Sequence, residues 1–275
     1  MDAQNFWFSS GAAGGGGDQG DPIGESLRFR GTAHLSNATI SCPTTFTYSG
    51  WVKLADFTAG EWVTLFNQNN DPNGGNGPSF GTNSNDTIRY YSNSGSILTS
   101  TARFRDPSAW YNVVLQQTAT NFTVWVNDQQ VLQSNRALGA NSGNFEIHRS
   151  FGGTNLAERD CYMADVYFID GQALLPTAFG RTNDDGVWVP VDPEFDTADY
   201  GTNGFHLDFA DPDNVGLDTS GNGNDFTATG FDTAPVGIFS NQLVSSSGTW
   251  AAGRTPIQLF GDTNTATMAQ VGATG

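Results

Sequence analysis

Apolar residues recur along this chain at every second position, in short runs separated by glycine, asparagine and proline. Leu27 and Phe29 alternate with Arg28 and Arg30, which predicts a short strand with one buried face. Phe46, Tyr48 and Val52 alternate with Thr47, Ser49 and Trp51, a longer strand with bulky groups on both faces. Residues 62–66 are a continuous apolar run of strand length, as expected inside a two-layer sandwich. A polar loop rich in turn formers separates Asn67 from Asp86, and Ile88 and Tyr90 then resume the alternation. Residues 110–115 and 122–126 read as the clearest strand pair, Asn127 and Asp128 as the next turn, and Val131 as the start of the return. Phe145 and Ile147 follow, then Tyr162, Ala164, Val166 and Phe168, and finally Phe205, Leu207 and Phe209. No segment sustains the i, i+3, i+4 spacing of an amphipathic helix; only residues 174–179 are expected to turn helically once. Roughly ten strands with turn signals between them predict an all-β sandwich or jelly roll.

Composition sharpens this picture. The 275 residues include 34 glycines against 11 prolines, and glycine at that level implies many tight turns. Aromatic residues reach 12%, enough to build a core although charged residues are only 14%. The formal net charge is −17 and Lys53 is the single lysine, a balance that repels nucleic-acid backbones and anionic lipid headgroups. No stretch approaches the ~20 apolar residues of a membrane span, so neither nucleic acid nor membrane insertion is expected. Cys42 and Cys161 make neither a disulfide framework nor a zinc site, and two separate, reduced, buried thiols are the favoured reading.

Three regions are expected. Residues 1–25 form an arm in which the aromatics Phe6, Trp7 and Phe8 precede a glycine-rich linker. Its first 17 residues lack the cationic start and long apolar run of a secretory signal. Residues 26–235 hold the strand pattern, and from residue 236 the chain turns Ser-, Thr- and Ala-rich, read as a C-terminal extension or the start of a further module.

Several segments resemble laminin-G-like, concanavalin A-like jelly rolls. Residues 46–53 (FTYSGWVK) resemble an early core strand, residues 105–115 (RDPSAWYNVVL) with 122–128 (FTVWVND) the central hairpin, and residues 162–171 (YMADVYFIDG) the late strand. Residues 217–226 (LDTSGNGNDF) resemble a segment that normally opens such a domain, yet here they follow the late strand. The residues Phe205, Leu207, Phe209 and Phe226 need a core, so residues 204–231 are expected to fold back into the same sandwich. The order of motifs is similar to virion proteins of tailed, especially marine, bacteriophages: residues 4–8 (QNFWF), 26–29 (SLRF), 171–179, 186–188 and 200–205 (YGTNGF). Val189, between Trp188 and Pro190, departs from that pattern. The resemblance implies a non-enzymatic structural protein, a fibre or capsid decoration at the virion surface assembled in the host cytoplasm. Its expected partners are other virion proteins, further copies of itself (a trimer favoured), and a host-surface glycan. A freestanding carbohydrate-binding lectin and a diverged glycoside hydrolase are the alternatives.

Glucanases of this fold resemble a Glu-x-Asp-x-x-Glu pattern along one strand, but residues 158–163 read ERDCYM, with Met163 at the last acid, so no catalytic residue is assigned. His206 lies near Asp208 and Asp211 but alternates with Phe205 and Leu207, as a solvent-facing strand histidine does. Calcium is the one cofactor considered, at Asp218, Asn222, Asn224 and Asp225, with a second oxygen cluster at Asp71, Asn73 and Asn76. Asn, Asp and Gly are what any turn uses, and a plain turn is favoured at both places. Trp51, Trp125 and Tyr91 are candidate sugar-stacking aromatics for which core packing is favoured. Gln4, Asn5, Phe6, Trp7 and Phe8 are expected to anchor the protein to the particle, because exposed aromatics on an arm need a cover.

Overall fold

The computed structural model describes residues 23–55, 63–69, 79–82, 85–91, 97–135, 141–149 and 158–231. The chain opens with β1 (Leu27–Gly31), β2 (His34–Asn37) and the short β3 (Ser41–Cys42), followed by the long β4 (Phe46–Leu54). A meander follows: β5 (Val63–Asn69), β6 (Ser79–Thr82), β7 (Thr87–Tyr91) and β8 (Ile97–Arg103). The predicted hairpin is β9 (Tyr111–Gln117) and β10 (Phe122–Val126), and β11 (Gln129–Ser134) returns beside it. Then come β12 (Asn141–Ser142), β13 (Asn144–Ile147) and the 13-residue β14 (Glu158–Asp170). The remainder carries β15 (Gly180–Thr182), β16 (Trp188–Pro190), one helical turn α1 (Thr197–Tyr200), β17 (Phe205–Leu207) and β18 (Thr227–Thr229).

Two seven-stranded antiparallel sheets face each other, so the chain is an all-β jelly-roll sandwich. The first has the order β1-β14-β4-β9-β10-β11, and β17 also pairs with β14. The second has the order β18-β2-β13-β5-β6-β7-β8. Alternation places Phe29, Phe46, Tyr48, Leu115, Val124 and Phe168 from the first sheet against Leu35, Phe66, Ile88, Tyr90, Phe145 and Ile147 from the second. Phe145 sits at the centre, with ring contacts to Phe66, Phe168, Phe205 and Phe226. Cys42 and Cys161 are not disulfide-bonded and both are buried in this core, and burial pushes the Cys42 thiol well above its ordinary range.

Residues 204–231 finish both sheets. β1 pairs only with the first part of β14, up to Met163, and β17 pairs with the rest of the same edge, Val166 to Phe168. β18 covers the outer edge of β2 in the second sheet. Phe205 and Phe209 thereby join the core that holds Leu27 and Phe29, with Phe209 edge-on to Phe29. Between the two partners of this edge β14 carries a bulge, and Asp165 within it has φ +52°.

The outer face of the first sheet is strapped by residues 171–200. Thr47 Oγ1 donates to the Gln172 carbonyl and accepts from the Leu174 N–H, and Gln116 Nε2 donates to the Ala173 carbonyl. Beneath the strap Val114, Tyr167 and Ile169 pack with Phe179 and Tyr200. Pro176–Ala178 form a single 3-10 turn inside the segment where one turn was expected. The helical turn α1 was not expected; a reciprocal Asp196–Asp199 capping box holds it.

Candidate functional site

The acid-bearing strand β14 presents its two faces to different surroundings. Arg159, Cys161 and Met163 are buried on the core side, so the position of the third glucanase acid holds an apolar side chain in the core. Asp160, on the other face, accepts from Arg28 Nη2 at 3.3 Å and from the Gly31 N–H at 3.1 Å. The Arg28 guanidinium also lies 5.4 Å from the Tyr162 ring centroid. Arg159 ends on Asp86, its Nη1 donating to Oδ1 at 2.9 Å.

The four residues named for calcium do come together, but their bonds run to their own loop. Asp218 Oδ1 accepts from the His206 and Ser220 N–H groups, and Oδ2 from Ser220 Oγ and the Asn224 N–H. Asp225 Oδ1 accepts from the Asp218 N–H. Asn222 and Asn224 turn their amide nitrogens to the carbonyls of Gly201, Thr202 and Gly204. A cation must compete for carboxylate lone pairs, and four donors already engage the buried Asp218 carboxylate. The arrangement fits a carboxylate-centred turn rather than a calcium cage, and no cluster of three or more metal-binding side chains occurs among the described residues.

His206 differs from the solvent-facing histidine expected. Its Nε2 lies 2.6 Å from Asp165 Oδ1, its Nδ1 lies 3.1 Å from Thr219 Oγ1, and its ring stacks on Tyr167. Alternation in β17 was read correctly, but the strap and the β14 bulge raise walls around the face opposite the core. Burial, and then the Asp165 charge, push the Tyr167 hydroxyl far above its ordinary range.

The aromatic candidates divide. Trp51 is buried with Ile23 and Ala164, with Trp110 and Trp188 packed against them; the Trp188 Nε1–H donates to Asn112 Oδ1. Trp125 is half-buried against the cluster beneath the strap. Neither is an open stacking platform. The Tyr91 side chain, the arm residues Gln4, Asn5, Phe6, Trp7 and Phe8, the cluster Asp71, Asn73 and Asn76, and residues 236–275 lie outside what is described.

A polar row on the outer face of the second sheet went unnoticed in the sequence. Register sets Thr227, Ser36, Glu146 and Asn67 side by side across β18, β2, β13 and β5. Exposure falls along the row, from exposed Thr227 through half-buried Ser36 to Glu146 at 2% and Asn67 at 0%. Arg149 Nη1 donates to Glu146 Oε1 at 2.7 Å, and Asn67 Nδ2 to Glu146 Oε2 at 3.4 Å. Arg149 also lies 3.4 Å from His34 Nε2, while His34 Nδ1 is 2.9 Å from the Thr32 carbonyl. A carbonyl only accepts, so Nδ1 carries the proton and Nε2 is free to accept from Arg149. Burial holds the His34 pKa below its usual 6.5, and Arg149 and His148 add to that against the opposing Thr32 bond. Burial raises the Glu146 carboxyl, opposed by Arg149 and Asn67. The only sequence signal was Glu146 between the core residues Phe145 and Ile147, which resembles any solvent-facing strand position.

A family model, Laminin_G_3, described as the concanavalin A-like lectin/glucanases superfamily, matches residues 30–172, just over half of the chain. No curated protein matches it. Among solved structures the chain is similar to a heptameric SAP-like pentraxin from Limulus polyphemus, at 15% identity and a TM-score of 0.39, over 52% of this chain and 72% of that one. It is similar to a sialidase from Trypanosoma rangeli at 16% identity and a TM-score of 0.39, over 48% of this chain and only 21% of the sialidase. It is also similar to a carbohydrate binding module from Bacillus subtilis at 12% identity and a TM-score of 0.36, over 52% and 84% of the two chains. At these values the likenesses carry no argument about activity.

Proposed function

Because the chain belongs to the concanavalin A-like lectin/glucanases superfamily, we propose that it is a non-enzymatic jelly roll on the surface of a tailed-phage virion, displaying a glycan-binding face to the host. The observation that carries the non-enzymatic reading is the state of β14. Retaining glycosidases need two carboxyl groups roughly 5 Å apart flanking an open cleft. Here Asp160 is bonded to Arg28 and Gly31, and Met163 is in the core.

Support for the virion reading is the order of motifs between residues 4 and 231. In this reading Gln4, Asn5, Phe6, Trp7 and Phe8 dock on another virion protein, since three large aromatics bury roughly 150–250 Å² each. The functional unit is a symmetric oligomer, a trimer, because weak surface recognition gains greatly from several linked sites. Antibody labelling of purified virions tests the location, and labelled particles are expected. Particles that carry none of the protein overturn the reading. Incubation with mixed polysaccharides should release no reducing ends above a heat-killed control.

A further inference from the structure

The polar row on the second sheet contains two buried polar atoms without a hydrogen-bond partner, Asn67 Oδ1 and Arg149 Nε. Leaving such a group unsatisfied costs about 1–3 kcal/mol, so each calls for an occupant. The two are neighbours in chemistry as well as space, because their own side chains bond the two oxygens of one carboxylate, that of Glu146. Asn67 Oδ1 needs a donor, and Arg149 Nε–H needs an acceptor.

That pairing discriminates between ligand classes. An ammonium group satisfies Asn67 but leaves the arginine donor unpaired. A carboxylate, sulfate or phosphate satisfies Arg149 but faces the Glu146 carboxylate and the Asn67 carbonyl oxygen, in a protein of net charge −17. A hydroxyl both donates and accepts, so hydroxyl groups suit both atoms without bringing a charge. Exposure rises along the row towards Ser36 and Thr227, and the Arg149 side chain itself retains 26% exposure.

We infer that Ser36, Asn67, Glu146 and Arg149 form a binding site for the hydroxyl groups of a neutral sugar. This rests on the glycan-binding part of the proposed function and gives it a location. The strapped face of the first sheet, where the tryptophans are packed, is not the site.

Titration of the ¹⁵N-labelled full chain with methyl glycosides of glucose, galactose and mannose, and with sialic acid as an anionic control, tests it. The Asn67 side-chain amide and the Arg149 Nε–H are expected to shift together and saturably with at least one neutral glycoside, and not with sialic acid. Asn67→Leu should weaken that binding about tenfold, the equivalent of one lost hydrogen bond. Ser36→Ala, at the more exposed end, should weaken it less and serves if Asn67→Leu fails to fold. Resonances that stay fixed with every glycoside, or that report bound water only, overturn the site. If a glycoside binds and shifts other residues instead, the site falls while the glycan-binding reading stands. If Asn67 and Arg149 respond but virions ignore host glycans, the site stands and that reading falls.

Discussion

The Nε2 of His206 lies 2.6 Å from Oδ1 of Asp165. Asp165 is the left-handed residue of the β14 bulge, and His206 is the middle residue of β17, so this contact fastens the late-arriving strand to the bulge beside it. The ring lies flat on Tyr167, centroids 4.0 Å apart and planes 8° from parallel, and its other nitrogen meets Thr219. Removing it with His206→Ala should therefore cost about 2 kcal/mol of stability, the range for a charge-assisted hydrogen bond plus lost packing. Thr219→Val, which removes the hydroxyl's contacts with the His206 ring and carbonyl, should cost about 1 kcal/mol. Urea denaturation measures both, and equal losses would show that the Asp165 bond and the Tyr167 stack add nothing beyond the Thr219 contacts.

Asp218 holds the 218–225 turn by accepting from four donors, three of them backbone N–H groups. Asp218→Asn replaces one acceptor oxygen by a donor and sets it against those N–H groups. A loss of about 2–3 kcal/mol is expected, with faster amide exchange in β18 because the turn leads into it. Since the turn is bonded to itself, calcium and a chelator should give the same unfolding midpoint. A rise of several degrees with calcium would mean that the loop rearranges to ligate the ion.

The fold was legible because its strands alternate cleanly: Phe46 and Tyr48 in β4, Phe145 and Ile147 in β13, and Phe205 and Leu207 in β17 all face one core. The need of Phe205, Phe209 and Phe226 for burial also pointed to the closure of residues 204–231 on the same sandwich. β2 and β8 were not read, because His34, Ser36 and Asn37 surround the single core residue Leu35, and Thr99 and Ser100 follow Leu98. The helical turn α1 is too short for periodicity, although Asp196 and Asp199 at capping-box spacing were visible. The polar row was illegible for a different reason. Ser36, Asn67 and Glu146 are far apart in sequence and only the strand register brings them together, while Arg149, three residues after Glu146, lies just beyond β13. His206 was misread because neither the Asp165 bulge nor the strap has a signature in the alternation of its own strand.

Phe145 offers the sharpest test of the core. Its ring stacks on Phe66 at 5.3 Å and meets Phe168, Phe205 and Phe226 edge-on, so it joins both sheets to the closing segment. Phe145→Ala should cost about 3–5 kcal/mol, against a smaller loss of about 1–2 kcal/mol for Phe145→Leu, which keeps a large apolar side chain but gives up the ring contacts. Thermal unfolding monitored by near-ultraviolet circular dichroism distinguishes the two. A small loss for the alanine variant would mean that the closing segment is not packed on this ring.

His34 sets a pH dependence whose sign follows from its surroundings. Burial foremost, then the charges of Arg149 and His148, hold its folded pKa below 6.5, while its Thr32 bond opposes them only in part. Glu146, the acid in the same cluster, is engaged by Arg149 rather than by His34. Well above pH 6.5 the imidazole is neutral in both folded and unfolded chains, and its contribution to stability is fully present. As pH falls through that value the unfolded chain takes up the proton first, so stability is lost until the folded pKa is passed. His34→Gln keeps a polar side chain facing Arg149 and removes the titration. The stability difference, wild type minus variant, should be flat above about pH 7.5 and decline towards about pH 5.5. Urea midpoints for both proteins across that window give the answer, since titrating groups that do not interact with His34 cancel in the difference. A difference that stays constant with pH, or grows as pH falls, would show that the folded protein does not hold His34 in its neutral form.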